Sequence, residues 1–213
     1  FLIDGKNADA YLLANKSGEL FVIEASTPGI EVIELTTVDK TRTSIELILK
    51  NVDADLLSGS DDKSIIEKVL DAGRIMLAAD TVGAAQVMLD KSVAYSLERK
   101  QFGRLIGSFQ AVKHMCAEMA AELEPCHSMI WHAAHCFDNV PEEARLMACQ
   151  TKAHISEVGQ QISKTATEVH GGMGFTDELG LHYWFKRIGL NRQLLGSPEL
   201  IREEAGRLQG FDQ

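Results

Sequence analysis

Basic and amide side chains cluster around two glycines in the segment "ERKQFGRLIGSFQ", residues 98–110. The polar members of the cluster are Arg99, Lys100, Gln101, Arg104 and Gln110. Core packing does not require this composition, whereas a bound anionic group would. Arginine matches the geometry of phosphate oxygens, and Phe102 offers an aromatic face for a stacked ring. The alternative interpretation is a solvated turn between two helices that carries surface charge.

A second unusual segment, "EVHGGMGFTDE" at residues 168–178, holds glycines at positions 171, 172 and 174. Glycines let the backbone bend sharply and let a ligand approach it closely. The segment is not a phosphate loop of the strand–loop–helix type, because no strand pattern precedes it and no Gly-Lys-Ser follows. The alternative is a helix C-terminus followed by a turn.

Three further features have simpler interpretations. The segment "RQLLGSPELIREE", residues 192–204, predicts a helix that starts after the capping residue Ser197. Asp80 lies in an apolar stretch, where it is either a buried functional acid or an acid at a helix edge. His132 and His135 are three residues apart, but no third ligand is spaced to join them, so we predict no metal site.

Composition limits the function classes. The 213 residues are 45% hydrophobic and 24% charged, as in one large or two small globular domains. The net charge of −10 argues against non-specific nucleic-acid binding, and no apolar run is long enough to span a bilayer. The four cysteines match no zinc or redox spacing, which favours reduced thiols and a cytoplasmic location. The sequence begins as if in the middle of a strand, so we expect a piece of a longer chain.

The hydrophobic pattern predicts an α+β, mainly α, fold. Alternating residues predict a partial antiparallel β-domain, a strand meander, over residues 1–59. Apolar residues recurring every three or four positions then predict an up-down, four-helix bundle over residues 60–213, with Ser60 or Asp61 as the first N-cap. The predicted helices cover about 65–97, 107–136, 141–169, 178–192 and 198–208.

Taken in order, the strands, the long helix and the motifs "RKQFGRLIGSFQAVKH", "HGGMGFTDE" and "LLGSPELIRE" resemble the FAD-dependent acyl-CoA dehydrogenases. The resemblance covers nearly the whole chain. It implies that residues 1–59 are the later part of the family's middle β-domain. It also implies that residues 60–213 are the C-terminal bundle, which contacts FAD and makes oligomer contacts, and that the family's N-terminal helical domain is absent.

The resemblance implies a set of cofactor contacts at the pyrophosphate and adenine end of an FAD held mainly by a neighbouring subunit. The residues concerned are Arg99, Gln101, Phe102, Phe109, Gln110, Gly171 and Gly172. Glu168 stands where the family usually has glutamine, and a carboxylate is unfavourable near a pyrophosphate unless it points away or meets a ribose hydroxyl. The resemblance also implies a homo- or hetero-oligomer such as a dimer of dimers, with an electron-transfer flavoprotein as electron acceptor.

The implied reaction is α,β-dehydrogenation of an acyl-CoA thioester to the 2-enoyl-CoA, in fatty acid or lipid metabolism, and it needs a carboxylate base. The two positions that carry this base in the family fall on Leu195 and Gly73, so we assign no catalytic residue. Asp80 lies seven residues, about 10 Å, along the helix from Gly73, too far for a simple substitute.

Three functional interpretations therefore stay open. The chain is a dehydrogenase subunit, and its "LLGSPE" motif resembles bacterial heteromeric members acting on bulky steroid-side-chain acyl-CoAs, in which the partner subunit supplies the base. Alternatively, it is a catalytically silent subunit that holds FAD and stabilises an active partner. A third interpretation, a bundle with no cofactor role, is disfavoured by the paired motifs.

Overall fold

The computed structural model describes residues 1–59, 62 and 64–211. The chain forms two compact units, Phe1–Leu70 and Asp71–Gln213. The predicted N-cap at Ser60 or Asp61 lies outside the described residues. Within the parts that the structure describes, no helix is both long enough and apolar enough to cross a membrane.

The first unit contains short antiparallel strands. They are β1 (Leu2–Ile3), β2 (Ala10–Ala14), β3 (Leu20–Glu24), β4 (Ile30–Leu35), β5 (Ser44–Leu49) and β6 (Asp55–Leu56). The strands form two three-stranded sheets, with orders β1-β5-β4 and β2-β3-β6. The β2–β3 and β4–β5 pairs are the neighbours expected of a meander, but the outer strands β1 and β6 join non-sequential partners. The simple meander is therefore wrong, while the antiparallel pairing is confirmed.

The core of this unit is small. Tyr11, Ile23 and Ile45 are buried in a single apolar cluster, to which β2, β3 and β5 each contribute one residue. The Tyr11 hydroxyl donates a hydrogen bond to the Gly5 carbonyl at 3.2 Å, so the phenol is both packed and paired.

Helices make up most of the rest. They are α1 (Ser64–Glu98), α2 (Gln110–Asn139), α3 (Pro141–His170), α4 (Leu181–Gln193) and α5 (Pro198–Leu208). The α3 and α5 helices begin at Pro141 and Pro198, as predicted from prolines that are tolerated in a first turn. The α2 helix begins three residues later than predicted, because residues 106–108 form a 3-10 turn and Phe109 is extended.

The bundle core lies among α1, α2, α3 and α4. Its fully buried members include Met88, Leu123, Ile162, Leu181 and Ile188. The α1 and α3 helices approach closely at one position, where a Cβ on Gly159 would lie 2.5 Å from Thr81 Cγ2. This packing holds the end of α1 and the end of α3 in a defined relation, and both candidate motifs follow those ends.

Candidate functional site

The basic corner is a tight β-hairpin. Strand β7 (Lys100–Gln101) pairs with β8 (Arg104–Leu105), directly after α1 ends. Phe102 and Gly103 connect the strands with φ values of 53° and 75°, and two positive φ values are the mark of a type I′ hairpin turn. A phenylalanine in this conformation is unusual. Sequence reasoning predicted the turn but missed the hairpin, since each strand is only two residues long.

The two aromatic side chains of the corner contact each other, and one of them also contacts an arginine. The guanidinium of Arg104 lies 3.9 Å from the ring centroid of Phe109, and the Phe102 ring meets Phe109 edge-on at 6.2 Å. Phe102 is 92% exposed, so its outer face is free to stack on a planar ligand. Gln110 is exposed at the start of α2.

Arg99 and the glycine segment line a single open pocket with a volume of about 490 Å³. Arg99 and Gln101 contribute from the hairpin, and Gly171 and Gly172 contribute from the end of α3. Phe102, Phe109 and Gln110 lie on the same corner but outside this lining. The structure thus brings together four of the seven predicted cofactor residues, although about 70 residues separate the two motifs.

The first two glycines of the segment have open space around them, whereas the third is closely packed against α3. Gly171 has φ of 57°, and a Cβ on Gly172 would meet nothing within 4 Å. A Cβ on Gly174, in contrast, would lie 2.7 Å from the carbonyl oxygen of Thr167. Gly174 therefore packs the turn onto α3, while Gly171 and Gly172 leave the backbone accessible to a ligand.

A stacked pair that sequence reasoning missed links the two motifs. The rings of Tyr95 and His170 are 4.6 Å apart and inclined by 25°, and both line the pocket. The Nδ1–H group of His170 donates to the Ala166 carbonyl at 2.7 Å, and burial lowers the pKa of His170 and favours the neutral ring. Tyr95 lies four residues before Arg99, and His170 directly precedes Gly171. This closeness in sequence to the two motifs was the available signal that both rings could belong to the site.

Glu168 also lines the pocket. This is the position where the resemblance raised a conflict between a carboxylate and a pyrophosphate. Because Arg99 also lines the pocket, the lining contains one basic and one acidic side chain. Such a lining suits a ligand with phosphate oxygens at one end and hydroxyl donors at the other.

The two positions that the resemblance assigns to the base lie against each other. A Cβ on Gly73 would lie 2.5 Å from Leu195 Cδ1, so the leucine side chain occupies the space beside the glycine. Leu195 has φ of 56°, and its carbonyl accepts a hydrogen bond from Arg74 Nε at 3.3 Å. Neither position offers a carboxylate.

Asp80 is engaged in an ion pair. Its carboxylate accepts hydrogen bonds from the Arg187 guanidinium, the shortest at 2.7 Å, and from Asn191 Nδ2 at 2.6 Å. Asp80 therefore joins α1 to α4 through Arg187 and Asn191.

The family model for the C-terminal domain of acyl-CoA dehydrogenases matches residues 63–208. Among curated proteins, the chain is 33% identical over 207 residues to the probable acyl-CoA dehydrogenase YngJ of Bacillus subtilis, covering 94% of this chain and 53% of the relative. It is 40% identical over 111 residues to the caffeyl-CoA reductase-Etf complex subunit CarC of Acetobacterium woodii, covering 52% and 29%.

A solved structure of an acyl-CoA dehydrogenase is also similar to this chain. Butyryl-CoA dehydrogenase from Megasphaera elsdenii superposes with a TM-score of 0.88 at 25% identity, over 97% of this chain and 57% of that one. The chain thus spans about half the length, or less, of these relatives.

Proposed function

Because this chain belongs to the acyl-CoA dehydrogenase family, we propose that it is part of an FAD-dependent enzyme that oxidises an acyl-CoA to the 2-enoyl-CoA. Members of this family are FAD-dependent flavoproteins. The observation that carries the proposal is the shared pocket in which the hairpin and the glycine segment meet.

The residues present fit the dinucleotide. Arg99 provides a guanidinium for two phosphate oxygens, and Gly172 leaves room for close approach because no atom lies within 4 Å of a Cβ placed there. Tyr95 and His170 form an aromatic wall. When bound, the flavin supplies the acceptor for the substrate's β-hydride. The role of this chain is to hold and orient the anionic end of the cofactor.

The partners are part of the same proposal. A hairpin that contacts the cofactor of a neighbouring subunit requires an oligomer, and a dimer of dimers is the arrangement that the resemblance implies. An electron-transfer flavoprotein is the proposed acceptor, supported by the similarity to a subunit of an Etf complex. A cytoplasmic location, in keeping with the free cysteines, completes the proposal.

A second candidate function is favoured by Leu195 and Gly73. Both base positions are apolar and packed together, as expected for a subunit that holds FAD while a partner subunit abstracts the α-proton.

One experiment separates these functions. The full-length gene product is purified alone, its visible spectrum is recorded, and a panel of acyl-CoAs is added without oxygen. Loss of the oxidised flavin band with one acyl-CoA would establish a self-sufficient dehydrogenase. A yellow protein that bleaches only after a partner subunit is added would establish the second function. A protein that takes up no FAD under any condition would refute both.

A further inference from the structure

The end of α2 carries a group of metal-binding side chain types away from the pocket. His132 and Cys136 are one helical turn apart on α2, and Glu143 lies in the first turn of α3. Potential ligand atoms of all three lie within 4.8 Å of one another. Sequence reasoning paired His132 with His135 and missed this set, because Glu143 reaches it only through the sharp corner at Val140.

The distances match those of a small coordination sphere. Cys136 Sγ lies 3.7 Å from His132 Nε2 and 4.0 Å from Glu143 Oε2. In a tetrahedral zinc site, bond lengths of about 2.0–2.3 Å place such ligand atoms about 3.6 Å apart. The three side chains thus need only small movements to share one cation.

The surroundings favour a cation. Residues 114–144 contain six acidic side chains and no lysine or arginine, so the local potential is negative. His132 and Glu143 are exposed, and they give the cation a path from solvent to the buried sulfur.

We infer that His132, Cys136 and Glu143 form a binding site for one zinc-class divalent cation at the α2–α3 corner. Nitrogen, sulfur and carboxylate ligands together suit Zn²⁺ better than hard cations such as Mg²⁺ or Ca²⁺. Three protein ligands leave a fourth position for water or another ligand. A cation bound there would fasten the last turn of α2 to the first turn of α3.

Zinc titration tests the site in the full-length gene product after chelator treatment. Calorimetry with Zn²⁺ should show saturable binding that weakens by more than about tenfold in His132→Gln and in Glu143→Gln, since even the outer-shell partners of metal ligands contribute about that much. The matched controls His135→Gln and Glu142→Gln remove the same side chain types beside the cluster and should bind zinc as the wild type does.

Cobalt provides a spectroscopic readout of the sulfur ligand. Co²⁺ should produce a thiolate-to-metal charge-transfer band in the wild type, and the band should be lost in Cys136→Ser and kept in Cys126→Ser. Zinc should also raise the melting temperature of the wild type but not of His132→Gln. The inference is overturned if zinc uptake does not saturate, if His132→Gln and Glu143→Gln bind as the wild type does, or if the wild-type cobalt complex lacks the thiolate band.

Discussion

Leu195 packs its Cδ1 atom against Gly73, so the side-chain volume available at each position depends on the other. The left-handed backbone of Leu195, with φ of 56°, aims the side chain at the helix. A non-glycine residue in this region is strained by about 1–2 kcal/mol. Strain of this kind often occurs at functional sites, and here it lies at a position that the resemblance to the family assigns to the catalytic base.

Gly73→Ala is expected to lose most of the roughly 1 kcal/mol by which alanine favours a helix over glycine, because the added Cβ must displace the end of the Leu195 side chain. In a Leu195→Ala background, Gly73→Ala should stabilise the protein. Chemical unfolding of the four proteins gives the coupling energy.

Gly83→Ala is the matched control, since a Cβ on that α1 glycine meets nothing within 4 Å. It should stabilise the protein by up to about 1 kcal/mol. Equal stabilisation by Gly73→Ala and Gly83→Ala would contradict the contact with Leu195.

At the scale of elements, the turn after α3 has two faces. Gly174 packs against the Thr167 carbonyl, whereas Gly172 faces open space in the pocket. Gly174→Ala should therefore lower the free energy of unfolding by about 1–3 kcal/mol. Gly172→Ala should change it by less than about 0.5 kcal/mol while weakening FAD binding, because its methyl group enters the ligand's space. Unfolding curves and flavin titration of the two variants measure both effects, and FAD binding unchanged in Gly172→Ala would remove that glycine from the site.

The elements themselves were largely predictable. Long helices with apolar residues every three or four positions and with prolines at their starts were located closely, and α5 coincides with residues 198–208. The hairpin after α1 and the order of the strands were not predictable, because two-residue strands carry no alternation and sheet order depends on contacts distant in sequence. The pairing of Tyr95 with His170 likewise arises only when α1 and α3 pack together.

At the scale of the whole chain, a partly buried charge network joins α1, α3 and α5. Glu204 accepts hydrogen bonds from Arg74 Nη2 and from Arg145 Nε, each at 2.8 Å. Arg74 also pairs with Asp71 at 3.4 Å. No periodicity in the sequence predicts this network, since its members are up to 133 positions apart, from residue 71 to residue 204.

Glu204→Gln is expected to destabilise the protein by about 2–3 kcal/mol at neutral pH, because it removes the nearest carboxylate of two arginines and leaves them only the longer contacts with Asp71. Burial alone would raise the pKa of Glu204, but hydrogen bonds and charge from Arg74 and Arg145 outweigh burial and lower it. The contribution of the Glu204 carboxylate to the free energy of unfolding is therefore fully present above pH 4.5, the ordinary pKa of a glutamate. It is lost as the pH falls through the lower pKa that Glu204 has in the folded protein.

The free energy of unfolding should be measured for the wild type and for Glu204→Gln across the acid range. The difference between the two proteins should shrink below pH 4.5. The neighbouring acid Glu203 pairs with the exposed side chain of Arg207. Glu203→Gln should therefore lower the free energy of unfolding by less than about 1 kcal/mol. A constant difference between wild type and Glu204→Gln down to strongly acidic pH would contradict the network's role.

FAD affinity measured in Arg99→Ala and Lys100→Ala of the full-length gene product tests most directly whether this pocket holds the cofactor's phosphates. Arg99 lines the pocket and Lys100, its basic neighbour, does not. Loss of a charge-assisted phosphate contact of about 1.5–3 kcal/mol should raise the Kd for FAD by about tenfold or more in Arg99→Ala, while Lys100→Ala should bind nearly as the wild type does. Unchanged affinity in Arg99→Ala, or equal losses in both variants, would show that this pocket does not hold the cofactor's phosphates.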